Sequence, residues 1–181
     1  MIYDFPNIML LSGTGRNVGK TTFVCHLLKH FNHLEIVTVK VSPHWHQSRQ
    51  GKVILLEEGR LLLARETDKE SYKDTSRMLR CGASEVFYLQ YTSEEFLLRA
   101  FEHLIDMNIV SGPMIIETAI LGKYIKPALH LRISRSDVPP SDKPLPNVPF
   151  DRLVTFDGED FDLKPGSICW ENDSWTLEAK I

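Results

Sequence analysis

The chain has 181 residues, 43% of them hydrophobic and 25% charged, with a formal net charge of −3. That length suits one well-buried domain over residues 1–181 and is short for two. The charge gives no electrostatic reason to expect nucleic acid or an anionic membrane as a partner.

No apolar run is long enough to span a bilayer, and Asp4 stands where a signal peptide would carry basic residues. Cys25, Cys81 and Cys169 are far apart and form no C-x-x-C pair. Together these features make a cytoplasmic protein with reduced thiols the expectation.

Residues 7–11 contain the apolar run Ile8, Met9, Leu10 and Leu11 and predict a buried strand. Residues 12–22 follow, reading Ser-Gly-Thr-Gly-Arg-Asn-Val-Gly-Lys-Thr-Thr. A helix to about residue 32 comes next, with Phe23, Val24, Leu27, Leu28 and Phe31 on one face. A glycine-rich turn between a strand and a helix N-terminus is the context of a phosphate-cradling P-loop. Its backbone N–H groups are left unpaired by the helix, and the helix dipole adds partial positive charge. The phosphate-binding set is then Gly13, Thr14, Gly15, Arg16, Asn17, Val18, Gly19, Lys20, Thr21 and Thr22. Within it Lys20 would bring an ammonium to the outer phosphates, and the Thr21 hydroxyl would coordinate Mg²⁺.

Residues 35–41 predict a second strand ending near Lys40. Just beyond it, His44 and His46 flank Trp45. The two imidazoles face a substrate or a metal, or they are an incidental surface pair. Lys40 meets phosphate or a substrate anion, or solvent. Residues 53–56 and 60–64 predict a β-hairpin. A helix over 69–81 stops at Gly82, in the manner of a glycine just past a helix end. Asp74 in this helix is either a metal-shell acid or, in the pattern Ser71-x-x-Asp74, part of a cap. Asp68 reads as a cap.

A strand over 85–90 precedes a capping box at residues 92–95 and a helix with Phe96, Leu97, Phe101, Leu104 and Ile105 inward. Residues 114–117 and 128–133 predict further buried strands. The first ends in Glu117, and ligands of parallel sheets gather at strand carboxyl ends, so Glu117 is placed to reach a bound Mg²⁺. Lys123 and Lys126 are further candidate anion contacts. The remaining histidines, His26, His30, His33, His103 and His130, read as structural.

Residues 137–149 hold five prolines and predict an extended surface loop. A strand at 153–156 and a hairpin over 167–171 and 174–177, turning at Asn172 and Asp173, complete the chain. No N-K-x-D guanine signature is present; Asp137 is the one acid in roughly that place. The base is therefore open between ATP and GTP. The expected fold is α/β: a three-layer P-loop NTPase fold with a mainly parallel sheet, a β-hairpin insertion and a short C-terminal β-hairpin.

A strict P-loop has glycine where Thr14 stands; here Gly13 is one residue earlier and the string is G-T-x-x-x-V-G-K-T. This loop resembles that of the dethiobiotin synthetase and cobyrinic-acid synthase group, a SIMIBI branch of P-loop proteins. Glu117-Thr118-Ala119 is similar to the E-G-A of dethiobiotin synthetases. Asp68 to Thr75, continuing through Arg80-Cys81-Gly82-Ala83, resembles the D-x-x-G-K-D-[ST]…A-G-A stretch of MobB-like proteins. These are nucleotide-binding accessory proteins of molybdopterin-guanine dinucleotide synthesis. Ile115-Ile116-Glu117 with Lys126-Pro127 and Arg132 is similar to their V-E-G-[FY]-K…P-K…R segment. The histidines after Lys40 are similar to their K-H-x-H-H loop, and the hairpin to their dimerising β-arms. Thr118 stands where that family has glycine, and Tyr72 replaces the glycine of Gly-Lys-Asp.

The MobB-like resemblance implies a slow NTPase, homodimeric, acting beside a cofactor-synthesis enzyme. It also implies Mg²⁺ held by Thr21, Glu117 and Asp74, with Lys20 and Glu117 as the catalytic pair. The dethiobiotin-synthetase resemblance implies instead an ATP-dependent ligase or kinase that phosphorylates a small substrate. A nucleotide-sensing module with little turnover is the third reading.

Overall fold

The structure is a computed structural model and describes residues 3–46, 49–139 and 144–178. Eight strands form one sheet: β1 (Tyr3–Gly13), β2 (Val37–Ser42), β3 (Lys52–Glu58), β4 (Leu61–Glu66), β5 (Glu85–Gln90), β6 (Met114–Glu117), β7 (Ile125–Arg135) and β8 (Arg152–Phe156). Their spatial order is β3-β4-β5-β2-β6-β1-β7-β8. From β5 to β8 every neighbouring pair is parallel, while β3 and β4 form an antiparallel hairpin added to the edge of β5.

The centre of the sheet follows from its sequence. Ile8 to Leu11 and Met114 to Ile116 are apolar without alternation, and both runs are buried on both faces, as central parallel strands require. Successive side chains point to opposite faces. Met9, Leu11, Ile115 and Leu131 pack under α1 (Lys20–His30) and α2 (Asp74–Arg80). Ile8, Leu10, Met114 and Ile116 pack under α3 (Glu94–Asp106). Ser93 caps α3 by accepting the Phe96 N–H, and Gly82 ends the α2 segment at φ 108.

A separate hairpin, β9 (Ile168–Glu171) and β10 (Ser174–Leu177), turns at Asn172 and Asp173, with φ 51 and 56. Positive φ at both central residues matches the right-handed twist of the strands. Trp175 on β10 is fully buried against the Phe31 and Trp170 rings.

Several expected boundaries move. The helix predicted over 69–81 begins only at Asp74. Upstream, an Asp68 carboxylate oxygen accepts the N–H groups of Glu70 and Ser71, and the Ser71 and Ser76 hydroxyls pair at 2.6 Å. These side-chain bonds hold residues 68–71 as a turn and compete with helix formation. Asp68 therefore caps a turn, and Ser71 does not cap Asp74.

The strands predicted at 7–11 and 128–133 extend to Tyr3–Gly13 and Ile125–Arg135, because their parallel ladder resumes beyond a bulge, from Tyr3↔Ile125 to Phe5↔Pro127. Ile105 lies at the outer border of the apolar stripe of α3 and is 39% exposed, not inward. The hairpin predicted over 53–56 and 60–64 is present as β3 and β4 and extends the sheet. β4 is buried within the sheet, and β3 forms its outer edge, with Val53 and Ile54 partly exposed. Residues 140–143 of the proline loop lie outside the described residues; 144–149 carry no helix or strand. Among the described residues no helix is long and apolar enough to cross a membrane.

Candidate functional site

β1 ends at Gly13 and α1 starts at Lys20, so residues 13–22 sit at the carboxyl end of a central strand. The loop turns through Asn17 (φ 56) and Gly19 (φ 98). Glycine is required twice. A Cβ on Gly13 would lie 2.8 Å from Val18 and 2.9 Å from the Lys20 stem, and one on Gly19 would lie 2.9 Å from the Phe156 ring.

No side chain caps α1, which leaves first-turn N–H groups without helical partners. The Lys20 stem passes over Gly13, and its Nζ donates to the Gly15 carbonyl at 2.8 Å. Burial holds the Lys20 pKa below the ordinary lysine value; Glu117 and Asp74 only partly oppose this, and Lys40 adds to the lowering. Arg135, at the end of β7, donates to the Asn17 carbonyl at 3.2 Å, and its guanidinium lies over the Phe156 ring.

Parallel register brings the acid in. Glu117 is opposite Leu11 on β1 and opposite Lys40 on β2. Its carboxylate is buried and accepts from the Thr21 hydroxyl at 2.9 Å and from Lys40 Nζ at 2.7 Å. The same Lys40 ammonium reaches Asp74 Oδ2 at 2.8 Å. Asp74, in the first turn of α2, is therefore part of this group. Arg77 sits one turn later, 3.5 Å from Asp74 Oδ1 and 3.3 Å from the Thr22 hydroxyl.

Burial pulls the Lys40 pKa down, but Glu117 and Asp74 outweigh it and hold it above the ordinary value. Burial would raise the Asp74 pKa, yet Lys40 first and Arg77 after it hold the carboxyl below its usual 3.8. A depressed folded pKa contributes stability that is complete above the unfolded value and lost as pH falls through the folded one. Thermal melts between about pH 2 and 5 are expected to fall more steeply for wild type than for Asp74→Asn. Parallel curves would contradict the Lys40–Asp74 pairing.

These residues line an open cavity of about 880 Å³, together with Ser42, His44, Thr118, Leu145 and Phe156. His44 Nε2 is 2.7 Å from the Arg16 guanidinium, joining the loop after β2 to the glycine-rich loop. His46 is held elsewhere: its backbone N–H and C=O both bond the Gln90 side-chain amide, and it does not line the cavity. The Gln90 side chain therefore separates the two histidines. Lys123 pairs with Glu94 and Lys126 with Asp4, and neither lines the cavity. Asp137 is gripped by two of the three nitrogens of Arg135, Nε and Nη2, at 2.6 and 2.8 Å.

Sequence reasoning did not single out Arg77, Arg135 or Phe156. Arg77 is three residues after Asp74, a spacing that places both on one helix face. Arg135 ends a strand beside β1, where ligands of parallel sheets collect. Phe156 had no such signal, since only its approach to Gly19 brings it to the loop. Among the described residues no three His, Cys, Asp or Glu side chains are grouped to hold a metal ion. Any divalent ion here would need the Thr21 hydroxyl and oxygens of its own ligand beside the two acids.

Comparison with protein-family models found no match, and comparisons with curated proteins and with solved structures found none either.

Proposed function

We propose that this is a P-loop protein of the SIMIBI type that binds a nucleoside triphosphate with Mg²⁺ in the cavity at residues 13–22 and hydrolyses it slowly. One observation carries the reading: a half-buried lysine ammonium whose one hydrogen bond, among the described residues, is to a carbonyl of its own glycine-rich loop. A cation held below its ordinary pKa, beside an uncapped helix N-terminus, suits a polyanion that would supply the missing counter-charge.

The donors fit the metal. Two carboxylates already converge on one cation, the Lys40 ammonium, with the Thr21 hydroxyl bonded to one of them, and hard oxygen donors suit Mg²⁺. When bound, the ion would draw charge from the phosphates. Lys20 would do the same from the loop side, while Glu117 orients Thr21. Slow turnover is supported by the engagement of the cavity's titratable groups: Glu117 and Asp74 with Lys40, and His44 with Arg16. Among the described residues that line the cavity, Glu117, Asp74 and His44 are thus engaged and not poised as a base for water. The MobB-like resemblance supports a role beside a cofactor-synthesis enzyme.

A second reading, a ligase or kinase of the dethiobiotin synthetase type, is favoured by the basic side of the cavity. Arg77, Lys40 and His44 could face a carboxylate co-substrate there. A turnover panel of ATP and GTP, with and without small carboxylic acids, separates the two. Slow hydrolysis indifferent to the acids is expected. Turnover strongly stimulated by one acid would replace the accessory reading with the ligase, and no turnover under any condition would leave only a binding module.

A further inference from the structure

We infer that Lys40 is the site's own counter-cation and makes divalent-metal binding conditional on nucleotide; this rests on the nucleotide-binding reading. Lys40 Nζ is 2.7 Å from Glu117 and 2.8 Å from Asp74. It thus bridges the two carboxylates that a metal would need, and the Thr21 hydroxyl is bonded to the first of them. The ladder fixes this position: Lys40 and Glu117 are direct partners on adjacent parallel strands.

Lys20 and Lys40 offset Glu117 and Asp74, and Arg16, Arg77 and Arg135 leave the described lining of the cavity net positive. A divalent cation arriving alone would meet an ammonium already bonded to both acids, and two like charges within a few ångström repel strongly when partly buried. A cation arriving with a polyphosphate is different. The phosphate oxygens offer the Lys40 ammonium new acceptors, and its flexible four-carbon stem lets it change partners without moving the strand. Lys40 then releases Glu117 and Asp74 to the metal while the phosphates offset the cations of the lining. Arg77 beside Asp74 keeps that acid ionised during the exchange.

Electron paramagnetic resonance of free and bound Mn²⁺ tests this without relying on turnover. Wild type is expected to bind Mn²⁺ only when ATP or GTP is present. Lys40→Met and Lys40→Gln are expected to bind Mn²⁺ without nucleotide, at least about tenfold more tightly than wild type. Lys40→Arg should behave as wild type, and adding Asp74→Asn to Lys40→Met should remove the gain. Circular dichroism checks each fold. If either neutral variant folds and binds free Mn²⁺ no better than wild type, Lys40 is an ordinary ion-pair residue and the inference is overturned. Tight binding of free Mn²⁺ by wild type overturns it equally. Wild type that binds no nucleotide, with the gain still present in Lys40→Met, contradicts the function reading and supports the role of Lys40 as counter-cation.

Discussion

Replacement of Lys20 by alanine is expected to lower nucleotide affinity by about 100-fold or more. Hydrogen bonds to charged groups contribute about 1.5–3 kcal/mol each, and a lysine reaching two phosphates makes at least two. The structure gives a reason to expect little damage elsewhere. Among the described residues, Lys20 makes one hydrogen bond, to the Gly15 carbonyl. Its burial already disfavours the charged form, so removing it relieves a desolvated cation while losing one contact. The net effect on stability is expected to stay within about 1 kcal/mol. Fluorescence polarisation of a labelled nucleotide, beside thermal melts, reads both quantities. Unchanged affinity in a folded Lys20→Ala protein would remove the site from residues 13–22. A collapse in stability would show that Lys20 is a structural residue.

Trp175→Ala is expected to destabilise the protein by about 3–5 kcal/mol, the usual range for removing a buried tryptophan. The indole is fully buried, its ring lies 5.3 Å from Phe31 and 4.9 Å from Trp170, and its N–H donates to the Asn7 carbonyl at 3.0 Å. The substitution therefore opens a cavity and leaves that carbonyl without its indole donor. Phe31 follows the last turn of α1 and Asn7 lies on β1, so the C-terminal hairpin braces the two elements that frame the glycine-rich loop. Urea unfolding monitored by circular dichroism measures the loss. A change below about 1 kcal/mol would mean that the hairpin is peripheral to the fold.

How much of this was legible in the sequence depended on the range of the interactions. Strongly patterned local features came through. The apolar runs of β1 and β6 and the Asn172-Asp173 turn each carry their signal within a few residues, whereas the capping box read over residues 92–95 is displaced by one residue, Ser93 accepting from Phe96. The glycine-rich loop was visible because two of its glycines answer local demands, a positive φ at Gly19 and a close approach at Gly13. The early start of the helix over 69–81 was misread because capping-type residues serve turns equally well, and here Asp68 and Ser71 bond the turn. Whether Asp74 was a cap or a site acid was undecidable locally: Lys40, which decides it, is thirty-four residues away and arrives through the sheet. The contribution of Arg135 and Phe156 likewise depends on β7 and β8 lying on the far side of β1 from β6. The separation of His44 from His46 required Gln90, which captures only the latter.

The most direct test is calorimetric titration of the wild-type chain with ATP and with GTP, each with Mg²⁺. Saturable binding of one nucleotide per chain is expected for at least one of them, weakened when Mg²⁺ is withheld and lost in Lys20→Ala. A folded wild-type protein that takes up neither nucleotide would contradict the assignment of residues 13–22, Lys40, Asp74 and Glu117 to a nucleotide site.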